Sequence, residues 1–228
     1  MNKLIKDIIE WDVRNWSKSL NYWLEETSLE LTDRNALEIG SRNGGLSLWL
    51  AKQGCKVTCS DVNGPSEKAR QIHQKHGIEH LVQYKGIDAT NIPYENDVFD
   101  IVVFKSVLGG IGHNNNKDAQ FKAINEIYRV LKPGGELFFA ENLVASPFHS
   151  FLRKHFISWG ENWRYLSIPE IEEFLNPFSH KHYFSTGFLA ALGRNEKQRD
   201  ILGKIDNLCI NKITPSKWKY IVVGLAKK

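Results

Sequence analysis

The chain has 228 residues, 42% of them hydrophobic, with 30 basic and 26 acidic side chains giving a net charge of +4. That length suits one large α/β domain, or one domain with a cap, and the apolar content suffices for a substantial core. The charge is too small and too dispersed to argue for a nucleic-acid partner.

In chain order, Leu4, Ile5, Ile8, Ile9, Val13, Trp16, Leu20 and Trp23 recur at spacings of three and four, which predicts two amphipathic helices within residues 3–30. A strand is expected over 35–40, then a helix from Gly44 to about Gln53 that stops at Gly54. A second strand follows at 56–61, and Pro65 suits the first turn of a helix running to His76. Strands are expected at 81–87 and at 99–104, the latter apolar enough to be buried on both faces. Residues 117–131 read as a helix, Lys132-Pro133-Gly134-Gly135 as a turn, and 136–141 as a fifth strand. The tail reads as a strand near 182–189, a helix near 195–208 and a strand at 218–226. Strands alternating with helices predict a doubly wound, mostly parallel sheet.

No run reaches ~18 apolar residues and the N-terminus lacks a long apolar stretch, so the chain reads as cytoplasmic. Cys55, Cys59 and Cys209 are odd in number and form no C-x-x-C, which points to a reducing compartment without a disulfide or zinc framework.

The densest signal is Ala36-Leu37-Glu38-Ile39-Gly40-Ser41-Arg42-Asn43-Gly44-Gly45-Leu46, an apolar run that turns through glycines into a helix. Sixteen residues past Gly45, a second apolar run ends in Asp61. This is the layout of a βαβ nucleotide site: glycines admit the ligand to the backbone, and an acid at the second strand's tip can take both ribose hydroxyls. Glu38 inside the motif would oppose a pyrophosphate but suit a cationic ligand or a hydroxyl donor. The stretch resembles motif I of class I S-adenosylmethionine-dependent methyltransferases, commonly E/D-x-G-x-G-x-G, with Arg42 standing where the family has a second glycine. Gly86-Ile87-Asp88-Ala89-Thr90-Asn91-Ile92-Pro93-Tyr94 resembles the family's adenine-reading segment, and Arg129-Val130-Leu131-Lys132-Pro133-Gly134-Gly135 its turn before strand five.

The resemblance implies a Rossmann-like seven-stranded sheet, mostly parallel with an antiparallel C-terminal strand, plus a helical cap. It divides the chain into a cap (1–30), a cofactor core (35–142), a substrate lid (143–181) and a C-terminal hairpin region (182–228). It implies S-adenosylmethionine held by Glu38, Gly40, Ser41, Arg42, Gly44, Asp61, Val62, Asp88, Ala89 and Lys105, with no metal. Within that frame His113, in the loop after strand four, is the candidate base. The aromatics that crowd both the N-terminal helices and the lid, from Phe148 and His149 through Trp159 and Trp163 to His180, suit a small-molecule or saccharide acceptor, or equally a planar aromatic. The expectation of a sugar hydroxyl comes from the resemblance of 9–17 and 44–49 to a small bacterial subgroup of methyltransferases found with cell-surface polysaccharide enzymes. The stretch 148–156 could instead rest against a membrane carrying a lipid-linked acceptor. An NAD-dependent oxidoreductase is disfavoured by Arg42 and by the missing G-x-G-x-x-G, and a catalytically silent cofactor-binding domain is the other alternative.

Overall fold

The computed structural model describes residues 3–156 and 162–228. The N-terminal stretch forms three helices rather than two: α1 (Lys3–Ile9), α2 (Val13–Trp16) and α3 (Lys18–Glu26). Glu10 and Asp12 take left-handed backbone angles (φ 72° and 42°), which a helix cannot propagate. The core follows as β1 (Asn35–Ile39), α4 (Gly45–Lys52), β2 (Lys56–Asp61), α5 (Glu67–Lys75), β3 (Val82–Gly86) and β4 (Phe99–Lys105). Then come α6 (Leu108–Ile111), α7 (Lys117–Val130), β5 (Leu131–Asn142), α8 (Pro147–Phe156) and α9 (Ile168–Phe174). The chain closes with β6 (His180–Thr186), α10 (Glu196–Ile205), α11 (Asn211–Ile213) and β7 (Ile221–Lys227).

One seven-stranded sheet has the order β3-β2-β1-β4-β5-β7-β6. Neighbours from β3 to β5 run parallel, and β7 lies antiparallel between β5 and β6. The strand order reverses between β1 and β4, so a crevice opens at their carboxyl ends.

Alternation along the strands builds two cores. Ile101, Val103, Phe138 and Ala140 face one side, where Ile8, Trp16, Leu20, Trp23 and Trp49 pack. Val102, Phe104, Leu137 and Phe139 face the other, against Ile124, Ile127, Ile171 and Phe174. The expected cap is therefore largely core, and the expected lid is core in part. Leu166, Ile171, Phe174 and Phe178 are buried beneath the sheet, and the N-terminal helices form the opposite layer. From the expected lid, Trp159 lies outside the described residues.

Three local expectations change. Pro65 precedes the helix: Ser66 is the cap of α5, its Oγ accepting from the Ala69 amide at 3.3 Å. The Lys132–Gly135 turn is an irregularity within β5, whose register against β4 slips between Phe99 and Ile101. The helix near 195–208 runs as α10 into one wider helical turn (Asp206–Ile210) and on into α11.

Candidate active site

β1 delivers its last residue to a turn at Gly40 (φ 63°), where a Cβ would stand 2.6 Å from Val107 Cγ2. Glycine alone lets this turn lie against the loop after β4. Arg42 takes φ 50°, the conformation a glycine would adopt freely, so the loop keeps its shape at a cost of about 1–2 kcal/mol. Backbone bonds tie the loop to β2: Ser41 N donates to Ser60 O at 2.8 Å and Arg42 N to Asp61 Oδ2 at 2.9 Å. The Arg42 guanidinium lies 5.3 Å from the Trp11 ring centroid and 3.9 Å from the Glu10 carboxylate, drawing the segment after α1 over the loop.

Glu38 has a different task from the one expected. It is buried and accepts from the amides of Leu46 (3.2 Å) and Ser47 (2.8 Å), so it caps the first turn of α4 from beneath. Burial pushes its carboxyl up to about 7, against the pull of those hydrogen bonds and of Lys105. Ser41 is buried in the turn, and the Gly44 carbonyl lies 2.7 Å from His73 Nε2. These three residues shape the loop and line neither cavity described next.

The first cavity, of about 480 Å³, gathers Gly40, Asp61, Val62, Asp88, Ala89 and Ser106 between apolar walls that include Ile39, Ile87 and Ile111. Asp88 also holds its own turn, with Oδ1 accepting from Thr90 N (2.8 Å) and Thr90 Oγ1 (2.9 Å). The second, of about 730 Å³, shares Gly40 and Ser106 with the first. It is also lined by Lys6, Asp7, Glu10 and Trp11 of the N-terminal segment, by Arg42 and Lys68, and by Lys105, Asn142, Trp163 and Arg199. Lys105, expected at the cofactor, stands in this larger cavity. Its Nζ donates to Ile9 O at 3.0 Å and lies 3.2 Å from the Trp11 ring centroid. Burial draws the ammonium down to about 7, opposed by Glu10, Glu38 and Glu141 and assisted by Arg42.

The wall after β4 is built by Glu141 and a glycine seat. Glu141 is fully buried and accepts from Val107 N (2.8 Å) and Leu108 N (2.7 Å), capping α6. Asn142 Nδ2 donates to Ser106 Oγ at 2.6 Å. Trp163 lies on Gly109, where a Cβ would fall 1.7 Å from its Nε1. The Glu141–Asn142 pair is thus committed to loop structure, and the described residues hold no cluster of three metal-ligating side chains. His113 is corrected as a base candidate: α6 carries it to an exposed turn, and it lines neither cavity. Sequence reading missed Lys6, Lys68 and Arg199, which carry no motif and meet only in the fold.

The first cavity fits S-adenosylmethionine. A ribose diol needs a paired acceptor, which Asp61 offers; an adenine amino group needs another, which Asp88 offers; and the flat base needs the apolar walls. The amino-acid end would point toward the second cavity, which shares Gly40 and Ser106 with the first.

Residues 37–139 match the family model described as a methyltransferase domain. Together with the sheet order, this match over a little under half of the chain makes it similar to class I S-adenosylmethionine-dependent methyltransferases. Among curated proteins it is 30% identical over 115 residues to the sarcosine/dimethylglycine N-methyltransferase of Halorhodospira halochloris, covering 50% of this chain and 39% of that one. Against the ubiquinone/menaquinone biosynthesis C-methyltransferase of Bartonella tribocorum it is 26% identical over 167 residues, covering 71% of this chain and 58% of that one. The chain thus spans about half the length of these relatives. Among solved structures, phosphoethanolamine N-methyltransferase 2 of Haemonchus contortus aligns with a TM-score of 0.64 at 17% identity, over 93% of this chain and 52% of that one. That likeness is one of fold.

Proposed function

We propose that the protein transfers the methyl group of S-adenosylmethionine to a hydroxyl of a small, acid-bearing acceptor, such as a sugar acid or sugar phosphate. The charge of the larger cavity carries this reading. Besides Lys105, four basic residues line it (Lys6, Arg42, Lys68 and Arg199) against two acids. Both acids are already engaged: Asp7 with Lys75 and His76, Glu10 with Asn43 and Arg42. Such a cavity disfavours a cationic amine and favours an anion. The named relatives act on nitrogen and on carbon, so their acceptor atoms differ from one another and from a hydroxyl.

The bound cofactor supplies a methyl group already activated by its sulfonium. What remains for the chain is to position the acceptor, exclude water and remove the hydroxyl proton. Asp61, Asp88 and the Gly40 turn hold the nucleoside side. Arg42 and Arg199 attract the acceptor's acid. Lys105, close to neutrality in its charge balance, takes the proton at Nζ.

A panel of sugar acids, sugar phosphates, neutral sugars and primary amines, assayed with cofactor labelled on the transferred methyl, tests this reading. Label should enter the acidic hydroxyl compounds. Transfer to amines or neutral sugars alone would overturn it.

A further inference from the structure

From α10 to the start of β7 the chain shows an outward face unlike the rest of the surface. The inner side of this helical run is committed. Gly203 packs on Arg14, and the buried Asp206 accepts from the amides of Phe188, Leu189 and Ala190 at 2.8–3.1 Å. The outer side places Ile201, Ile205 and Leu208 at i, i+4 and i+7, a single stripe along the helix. Ile201 is 58% exposed and Leu208 76%, and the stripe continues into Ile213 at 77% and Trp218 at 41%. Beside it stand Lys197, Lys204, Lys212 and Lys217, all exposed. The acids of the segment answer only Lys204 among these charges. Asp206 is buried, Glu196 pairs with Arg199, and Asp200 is shared between Arg14 and Lys204. Lys197, Lys212 and Lys217 form no ion pair among the described residues.

α8 continues this surface. His149 Nε2 lies 2.9 Å from Phe188 O, so α8 rests on the same 188–190 segment that Asp206 holds. It too exposes apolar side chains, Phe148 and Phe151, with Arg153, Lys154 and His155 in its last turn.

We propose that this face docks the protein on a membrane surface rich in anionic lipid. An apolar stripe flanked by uncompensated lysines is the pattern of a helix lying in the headgroup plane, with its aliphatic and aromatic side chains among the acyl chains and its ammonium groups on the phosphates. A second copy of the chain is disfavoured as the occupant, because a two-fold contact through this stripe would set like-charged lysines against one another. The proposal does not depend on which acceptor is methylated.

The test is co-sedimentation of the full chain with vesicles of phosphatidylcholine alone and of phosphatidylcholine with a third phosphatidylglycerol. The wild-type chain should partition at least about tenfold more onto the anionic vesicles, and high salt should release it. Ile201→Ser with Leu208→Ser, and separately Lys197→Glu with Lys212→Glu, should each remove most of that binding. S-adenosylhomocysteine affinity should be unchanged in both, which confirms that the variants are folded, since none of the four residues lines either cavity. Equal partition onto both vesicle types would overturn the proposal, as would wild-type protein remaining in the supernatant. A dimer in light scattering that the same substitutions dissociate would assign the face to self-association instead.

Discussion

Lys105→Met should lower methyl transfer by about 10²–10⁴-fold, the usual worth of a positioned acid or base, with S-adenosylhomocysteine affinity nearly unchanged. Methionine keeps the side-chain length and the packing against Trp11 and Trp16 but removes the amine. The base must be neutral to act, and its protonation midpoint is drawn down to about 7. The wild-type rate should therefore climb as pH rises toward 7 and level off above it. Lys105→Arg, permanently charged, should lack both the rate and that limb. Full turnover in the Met variant would remove Lys105 from the reaction. A wild-type rate that falls as pH rises through 7 would instead make it a cationic anchor for the acceptor's acid.

Trp23→Ala should cost about 3–5 kcal/mol of folding stability, read as a shift of the urea midpoint. Trp23 is fully buried, stacks on Phe138 at 5.8 Å with an interplanar angle of 13°, and packs against Trp49 at 5.5 Å. Its Nε1 donates to Gly224 O of β7 at 2.9 Å, so truncation also removes a buried hydrogen bond between α3 and the sheet. A domain's whole stability is about 5–15 kcal/mol, so the loss should be plain. A change under about 1 kcal/mol would mean that α3 is a detachable cap and that the sheet keeps its core without it.

The strand-end residues that line the first cavity were legible in the sequence because they are local. Gly40, Asp61 and Asp88 each sit at a strand end, and strand order alone brings those ends together. The last strand was legible because Ile221–Ala226 is an apolar run suited to an interior strand, and its antiparallel placement was expected from the family resemblance. The larger cavity was not. Arg199 reaches it from α10, Trp163 from the segment before α9, and Lys6 from α1, and no spacing in the chain joins them. Glu38 was misread in role because a carboxylate in a Gly-rich loop can face a ligand or cap a helix, and only the amides of Leu46 and Ser47 decide. His113 failed for a geometric reason. Glu141 caps α6 immediately after β4, and that helical turn carries His113 out of the crevice while Lys105 stays in it. The lid aromatics divide, with Phe178 in the second core, Trp163 lining the larger cavity and Phe148 and Phe151 exposed, because burial in a core and coverage of a pocket draw on the same residue types.

The most direct measurement is calorimetric titration of S-adenosylhomocysteine into the wild-type chain and into Asp61→Ala. Asp61 lines the cleft at the tip of β2, with one carboxylate oxygen held by the Arg42 amide. Hydrogen bonds to a charged acceptor are worth about 1.5–3 kcal/mol each, and 1.4 kcal/mol is tenfold in affinity. The wild-type chain should bind, and Asp61→Ala should bind at least about tenfold more weakly while unfolding at the same urea concentration. Equal affinity in the two proteins, or no binding by the wild-type chain, would contradict the assignment of this cleft to S-adenosylmethionine.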